Sequence, residues 1–304
     1  MVKKHDWYYC TWTLQHVRNG KVIWEQKDIR NALADEGEKN MLNVYFRQTN
    51  EPTSFYLRLC NDSLLETDTL SAVQNEPAGN GYAPQELGRS VTGFPTIELD
   101  SGNYQVVSAV VEFTASGGNI GPVNTAYLAT TQDNTGLLIC YQALSTSRTV
   151  LENDIFRANL TIKVENASTG GFSLEGYYNM LDTYFRQANQ PTEFYLRLCN
   201  DTLAGTDTLS DVQNEPSGSG YTPALIERSV TGFPTLALDS GDYQVESKEV
   251  QFAAVGGDIG PVNTAYLATT SDDTGVLVGY KSLPIARTIT DSTTGLEELK
   301  IKAK

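Results

Sequence analysis

Apolar and polar residues alternate with a period of two along much of this chain, a pattern typical of half-buried β-strands. In FYLRLC at 55–60, Phe55, Leu57 and Leu59 fall on one face of the predicted strand. Further strands are predicted at 104–115, 124–131, 136–144 and 156–164, with turn-rich stretches such as NEPAGNGY and SGGNIGP elsewhere. Several short strands at this spacing indicate an antiparallel sandwich of the jelly-roll type.

A helical period replaces this alternation once in each half of the chain. In the first half it predicts a helix at about 33–48, although Gly37 weakens the centre. The apolar stripe of that helix consists of Leu33, Met41, Leu42, Tyr45 and Phe46. SLEGYYNMLDTYFRQ repeats the stripe in the second half, with Ser173 as the candidate N-cap.

The chain opens with a predicted β-hairpin over residues 7–29. Asn19-Gly20 supplies the turn, and Asn-Gly is the strongest short-range hairpin signal. All three tryptophans, Trp7, Trp12 and Trp24, lie in this hairpin. They are candidate interface residues if the hairpin is a docking arm. Completion of the first core is the favoured interpretation, since isolated hairpins are barely stable.

Most of the remaining sequence occurs twice, and the second occurrence lies 139 residues after the first. MLNVYFRQ returns as MLDTYFRQ, RSVTGFPT returns at 228–235, and IGPVNTAYLATT returns unchanged at 259–270. The hairpin has no second version. We therefore predict a mainly β protein of two tandem antiparallel, jelly-roll-like β-sandwich domains, each with one helix near its start. The domains are residues 1–166 and 174–304, joined by a linker at 167–173, and 174–304 repeats 35–165.

The net charge of −15 excludes some classes of partner. An acidic surface repels phosphate backbones, so no nucleic acid is expected as a partner. Residues 1–35 are the exception, with six Lys/Arg against four Asp/Glu. No apolar run could span a membrane, and the first residues lack the features of a secretory signal. Synthesis in a reducing compartment is expected, with the four cysteines as buried, reduced thiols.

No constellation of reactive residues is apparent, so no catalytic residue, cofactor or metal site is predicted. The two histidines, His5 and His16, lie in the unrepeated hairpin region, away from any repeated serine or cysteine motif. Carboxylates present in both repeats, such as Asp62 and Asp100, sit at predicted turns, where their side chains cap backbone N–H groups. For the TTQDNTG loop, calcium binding is the alternative to a turn.

Arginines recur between the repeats where lysines mostly do not. Intramolecular pairing with carboxylates is the first interpretation. The second is contact with neighbouring subunits, which makes the following arginines candidate interface residues: Arg58, Arg197, Arg89 and Arg228. Tyr82 and Tyr221, in the loops NGY and SGY, are candidate glycan contacts, with tyrosines of the core as the alternative.

These motifs carry a resemblance to a known class of proteins. WTLQHVRNGKVIW, NALADEGEKNML and FYLRLCND, followed by NEPAGNGY, RSVTGFP and GGNIGPVNTAYL, resemble structural proteins of tailed bacteriophages. The resemblance covers most of repeat one and all of repeat two. It implies a β-sandwich without catalytic activity that is made in the host cytoplasm and then coats a capsid or joins a tail. The tandem duplication departs from the single-domain pattern of that class.

Three functional hypotheses follow. The first is a capsid decoration (cement) protein of the virion, whose candidate partners are the major capsid protein and further copies of this chain in a homo-oligomer. The second is a tail, neck, baseplate or fibre-attachment protein. The third is a carbohydrate-binding module for host glycan. An enzyme is the least favoured class.

Overall fold

The computed structural model describes residues 8–164, 171–239, 242–291, 294–297 and 300–302. The protein is mainly β, as predicted, with several antiparallel sheets. The described residues contain two α-helices, α1 (Asp35–Arg47) and α2 (Leu174–Arg186), one in each repeat.

Repeat one contains a seven-stranded and a four-stranded antiparallel sheet. The strands are β1 (Tyr8–Arg18), β2 (Lys21–Gln26), β3 (Asn31–Ala32), β4 (Ser54–Cys60), β5 (Gln85–Gly88), β6 (Thr96–Asp100), β7 (Asn103–Val107), β8 (Val111–Thr114), β9 (Ile120–Ala129), β10 (Leu138–Val150) and β11 (Ile155–Val164). The larger sheet has the order β2-β1-β11-β7-β6, with β3 paired to β1 and β8 to β11, and the smaller has the order β10-β9-β4-β5.

Repeat two follows the same plan without the hairpin. The strands are β12 (Gly171–Phe172), β13 (Glu193–Cys199), β14 (Ala224–Glu227), β15 (Thr235–Asp239), β16 (Asp242–Glu246), β17 (Val250–Ala253), β18 (Ile259–Ala268), β19 (Leu277–Ile289), β20 (Thr294–Glu297) and β21 (Lys300–Lys302). The sheets have the orders β12-β19-β18-β13-β14, β15-β16-β21 and β17-β20.

Most predicted elements of repeat one are present with shifted ends. The hairpin is β1 and β2, and Asn19 and Gly20 both have positive φ at its turn. The strand predicted at 104–115 is wrong in one respect, because the chain forms two strands, β7 and β8, with a break at 108–110. At the break, the Ser108 hydroxyl accepts a hydrogen bond from Leu160 N at 3.0 Å in place of the Ser108 carbonyl, and Ala109 N donates to Gly93 O at 2.8 Å rather than to β11.

The start of repeat two contains the predicted helix cap. Ser173 is the N-cap of α2, and its hydroxyl accepts a hydrogen bond from Gly176 N at 2.9 Å. Of the predicted linker 167–173, residues 167–170 lie outside the described residues, while Gly171–Phe172 form β12 and pair with β19. The division of the chain into the domains 1–166 and 174–304 stays a prediction.

The main core joins the two sheets of repeat one and continues into repeat two. One cluster of buried side chains includes Leu14 of β1, Leu57 of β4, Leu160 of β11 and Leu196 of β13. Smaller clusters cover the other face of the four-stranded sheet around Tyr127 and the equivalent face in repeat two. The second halves of β4 and β9, and of their equivalents β13 and β18, are therefore buried on both faces.

The two helices produce this continuity of the core. Helix α1 packs against β10 of its own repeat and against β16 of repeat two. Helix α2 packs against β19 of its own repeat and against β7 of repeat one. The helices also contact each other, so the repeats are related by a pseudo-twofold arrangement with α1 and α2 at its centre.

Candidate functional site

Two of the predicted interface arginines bind the helix of the opposite repeat. Arg89 donates from Nε to Tyr184 O at 2.7 Å and from Nη2 to Thr183 O at 2.8 Å, at the C-terminal end of α2. Arg228, its equivalent, donates to Tyr45 O at 2.8 Å and to Val44 O at 2.6 Å on α1. Each guanidinium thus satisfies carbonyl groups that a helix end leaves without partners.

Tyrosine and asparagine side chains repeat this reciprocity. The Tyr45 hydroxyl donates to Asn179 Oδ1 at 2.8 Å, and the Tyr184 hydroxyl donates to Asn40 Oδ1 at 2.7 Å. All four residues are buried. Burial raises the pKa of both tyrosines well above the usual value, so their hydroxyls stay protonated as donors. This pair of bonds was not predicted, although both residue types occur in both repeats.

Aromatic rings also pack at this contact between the two repeats. The ring of Phe46 in α1 lies 5.4 Å from Phe194 and 5.0 Å from Phe233, both in repeat two. Phe185 in α2 lies 5.4 Å from Phe55 and 5.0 Å from Phe94, both in repeat one. Each helix therefore inserts a phenylalanine into the core of the other repeat.

The carboxylate of Glu51 occurs in one repeat and not in the other, so it breaks the symmetry between the two repeats. Glu51 lies 3.0 Å from Arg89 and 3.5 Å from Arg228, measured between side-chain oxygen and nitrogen atoms. The equivalent residue in repeat two is Gln190, whose Nε2 is buried without a hydrogen-bond partner. Two buried guanidinium groups therefore share one acid. Burial lowers the pKa of Arg228, although Glu51 opposes the shift.

The other predicted arginines, Arg58 and Arg197, lie in closed clusters inside their own repeats. Arg58 donates from Nε to Glu76 at 2.9 Å and from Nη1 to Asp133 O at 2.8 Å, and it is 2% exposed. Arg197 makes the equivalent bonds to Glu215 at 2.9 Å and to Asp272 O at 2.7 Å. Intramolecular arginine–carboxylate pairs, the first interpretation from sequence, are present here. They leave little guanidinium surface for a separate partner.

The candidate glycan contacts, Tyr82 and Tyr221, belong to these clusters. The Tyr82 hydroxyl donates to Glu76 and accepts from Leu59 N at 3.0 Å, and Tyr221 has equivalent bonds. Their rings stack on Phe113 and Phe252. Tyr82 holds the loop after β4 against the sheets of repeat one, and Tyr221 holds the loop after β13 against those of repeat two.

The tryptophans of the hairpin have different environments. Trp12 is 2% exposed in the core of repeat one. Trp24 is half-buried, stacks on Phe156 and lies 4.5 Å beneath the guanidinium of Arg148. Trp7 lies outside the described residues. Strand β1 thus completes the core, while β2 lies at the edge of the sheet.

A buried carboxylate fastens the hairpin to the body of repeat one. Asp154 Oδ2 lies 2.9 Å from His16 Nε2 and accepts from Arg18 Nη2 at 2.8 Å. The Arg18 guanidinium holds the pKa of Asp154 below its usual value, and His16 contributes in the same direction. An ionised Asp154 therefore stabilises the fold above its unfolded pKa of about 4, and this contribution is lost as the pH falls through the folded pKa.

We expect Asp154→Asn to lower the midpoint of urea unfolding at pH 7, because His16 and Arg18 lose their ionic partner. The difference from the unaltered chain should shrink as the pH is lowered below about 4, where the native carboxylate also becomes protonated. Glu112→Gln is the control, since Glu112 pairs with Arg157 at the surface and should change the midpoint little. A difference that stays constant down to pH 3 would contradict this role.

Repeat two has different residues at the positions through which repeat one contacts the hairpin. Gln26 donates to Ala143 O at 2.9 Å and accepts from Ser145 N at 2.6 Å. The equivalent of Ser145 is Pro284, which has no N–H to donate. The buried Gln142 of repeat one corresponds to the exposed Lys281. Lysine and proline at a strand edge hinder pairing with another strand. This surface of β19 is therefore suited to contact with solvent and not to pairing with a hairpin.

The remaining chemistry is structural. Burial raises the pKa of Cys60 and Cys199 to about 12, so neither thiol ionises at neutral pH. Asp62 accepts from the N–H groups of Gln74 and Asn75, which fixes a turn. Within the described residues, no group of His, Cys, Asp or Glu side chains is arranged to hold a metal ion. Neither helix in the described ranges has the length and apolar character needed to cross a membrane.

Comparison with known proteins gives a family match over the first repeat. Residues 32–162 match the family model described as podophage GP4 fiber I protein gp80. The match begins after the hairpin, and the equivalent residues of repeat two are 171–301. The match supports the interpretation that the chain is a structural protein of a phage virion. No curated protein matches the chain. No solved structure matches it either.

Proposed function

We propose that this chain is a non-enzymatic structural component of a phage virion, located at the tail, where it belongs to the fibre or its attachment region. The observation that carries the proposal is the match of residues 32–162 to a podophage fibre protein. The virion proteins that contact it are accordingly those of the tail. We therefore favour a location at the tail over capsid decoration, which was the first hypothesis from the sequence.

The geometry supports a passive role. Several arginines, tyrosines and carboxylates that both repeats share form bonds within the chain, as in the cluster of Arg58, Glu76 and Tyr82. Arg89 and Arg228 bind the repeats to each other. The duplication thus builds a rigid body with two related outer surfaces, which suits attachment within an assembly.

Immunogold electron microscopy of purified virions tests the location. Antibodies raised against the purified chain should label the tail end of the particle, and the label should be lost from virions whose gene for this chain is deleted. Label spread over the whole head would favour capsid decoration and overturn the proposal. Absence of label from intact and disrupted particles, together with absence of the chain from virion mass spectra, would overturn a virion role altogether.

The glycan hypothesis has a separate test. Tyr82→Phe and Tyr221→Phe remove the hydroxyls of the predicted contacts, and binding of the unaltered chain to a glycan array is the reference. We expect no glycan to bind specifically, because these hydroxyls are engaged with Glu76 and Glu215. Binding that either substitution abolishes would establish glycan recognition as an additional function.

A further inference from the structure

Two of the four cysteines do not recur between the repeats. Cys60 and Cys199 occupy equivalent positions, so each repeat contains one of them. Cys10 lies in the hairpin, which repeat two lacks, and Cys140 corresponds to Gly279. Repeat two therefore lacks a counterpart of both Cys10 and Cys140, and these two cysteines occur together in the repeat that has the hairpin.

The fold brings these two cysteines to one place in the core. Both are fully buried in the main hydrophobic cluster, where β1 packs against β10. The Cys10 thiol donates to Tyr141 O, the carbonyl of the residue after Cys140, with 3.8 Å between sulfur and oxygen. The segment that contains β3 adjoins both, because Cys10 faces Asn31 and Leu33 forms a β-bridge with Cys140. The two cysteines are thus neighbours where the hairpin meets the four-stranded sheet.

The equivalent site in repeat two has no room for a thiol. A Cβ at Gly279 would lie 2.6 Å from Gly171 O, because β12 pairs with β19 at this point. In repeat one, the corresponding ladder is reduced to the single bridge at Cys140, and the side chain there is accommodated beside Cys10. Position 140 therefore holds a thiol in the repeat whose hairpin supplies a second one.

The surroundings keep both thiols unreactive while the hairpin is docked. Burial raises the pKa of Cys140 well above its usual value, and the neighbouring Cys10 thiol adds to the shift. The thiolate is the form that reacts with a disulfide reagent, and both sulfurs are screened from solvent. Reaction with a dissolved reagent therefore requires a local opening in which β1 separates briefly from β10.

We propose that Cys10 and Cys140 form a disulfide bond when the protein passes from a reducing to an oxidising medium, and that this bond fastens the hairpin to the four-stranded sheet. The oxidant is a small-molecule disulfide. The pairing is independent of the location of the protein in the virion, so it can be tested with the purified full chain.

The bond forms by two successive thiol–disulfide exchanges. One cysteine thiolate attacks a sulfur atom of the reagent, which breaks the reagent's S–S bond, forms a mixed disulfide and releases one small thiolate. The second cysteine thiolate then attacks the protein sulfur of the mixed disulfide and releases the other small thiolate. Two electrons pass from the protein to the reagent, and the two protons of the cysteine thiols go to the two thiolates released.

Oxidised glutathione in urea below the unfolding transition tests the pair. The reduced chain has four thiols, and two should remain after this treatment when the thiols are titrated in full denaturant. Mass spectrometry of a protease digest should find the peptide of Cys10 joined to that of Cys140. The recurring cysteines supply the matched control, because Cys60→Ala/Cys199→Ala should form the same link and retain no thiol. Cys140→Ala should form no intramolecular link.

The fastening role has a readout of its own. The bond joins two positions far apart in the sequence, so it restricts the unfolded chain and should raise the midpoint of urea unfolding by about 1 M. The same treatment of Cys140→Ala should leave its midpoint unchanged.

The unaltered chain alone is enough to overturn the proposal. Four thiols that persist at every urea concentration below the transition would do so. Uptake of glutathione by Cys10 or Cys140 without a bond between them would do so too, as would a bond from either to Cys60 or Cys199. An unchanged midpoint in the linked chain would overturn the fastening of the hairpin.

Discussion

Replacing Phe46 with alanine should destabilise the folded chain by about 3–5 kcal/mol, the usual cost of deleting a buried phenylalanine ring. Phe46 is fully buried and belongs to α1, yet its ring contacts Phe194 and Phe233 of the other repeat. The lost packing therefore falls on the contact between repeats. Urea unfolding followed by circular dichroism measures the free energy of unfolding.

The pseudo-symmetry of the fold supplies matched variants. Phe185→Ala removes the equivalent ring from α2, with its contacts to Phe55 and Phe94, and should cost a similar amount. Val91→Ala should cost less than about 0.5 kcal/mol, because Val91 is 54% exposed. A loss below about 1 kcal/mol for both Phe46→Ala and Phe185→Ala would contradict the insertion of each helix into the opposite core.

Replacing Glu51 with glutamine should cost about 3 kcal/mol. Removing one partner of a buried ion pair costs about 3–5 kcal/mol, and the lower end applies because the Glu51 side chain remains 25% exposed. The variant leaves the buried guanidinium groups of Arg89 and Arg228 without their shared acid. The free energy of unfolding in urea at pH 7 measures the loss.

The second repeat offers a rescue for this variant. The pseudo-twofold relation that converts Glu51 into Gln190 also exchanges Arg89 and Arg228. The double variant Glu51→Gln/Gln190→Glu should therefore recover most of the lost stability, because a carboxylate again lies beside the arginines. If the double variant is no more stable than Glu51→Gln alone, the stabilisation does not come from one acid shared by two arginines.

The fold class was predictable because alternation and turn residues are local signals. FYLRLC has the period of a strand, and Asn19-Gly20 has the backbone freedom that a tight hairpin turn requires. Ser173 was identifiable as a helix cap for the same reason. The break between β7 and β8 was not predictable, because apolar residues continue on both sides of Ser108 and the bond from Leu160 N to the Ser108 hydroxyl is long-range.

Gly37 shows why helix propensity alone misleads. A glycine inside a helix costs stability and argued against the prediction. In the structure, a Cβ at Gly37 would lie 2.3 Å from Ile139 O, and one at Gly176 would lie 2.1 Å from Val278 O. Glycine is therefore required at both positions, because each helix packs closely on a strand of its own repeat.

The candidate site was predictable only in part. Recurrence in both repeats identified Arg89 and Arg228, but their targets are backbone carbonyl groups, which have no sequence signature. The role of Glu51 was missed because its equivalent is glutamine, so it did not appear among the carboxylates common to both repeats. A comparison that weighs such differences as well as identities would have drawn attention to position 51.

Scanning calorimetry of the full chain tests most directly whether the two repeats form one interlocked body. Because Phe46 and Phe185 lie in opposite cores and Arg89 and Arg228 bind opposite helices, the repeats should unfold together. One transition is expected, with equal van't Hoff and calorimetric enthalpies. Two separate transitions, one for each repeat, would contradict a shared core.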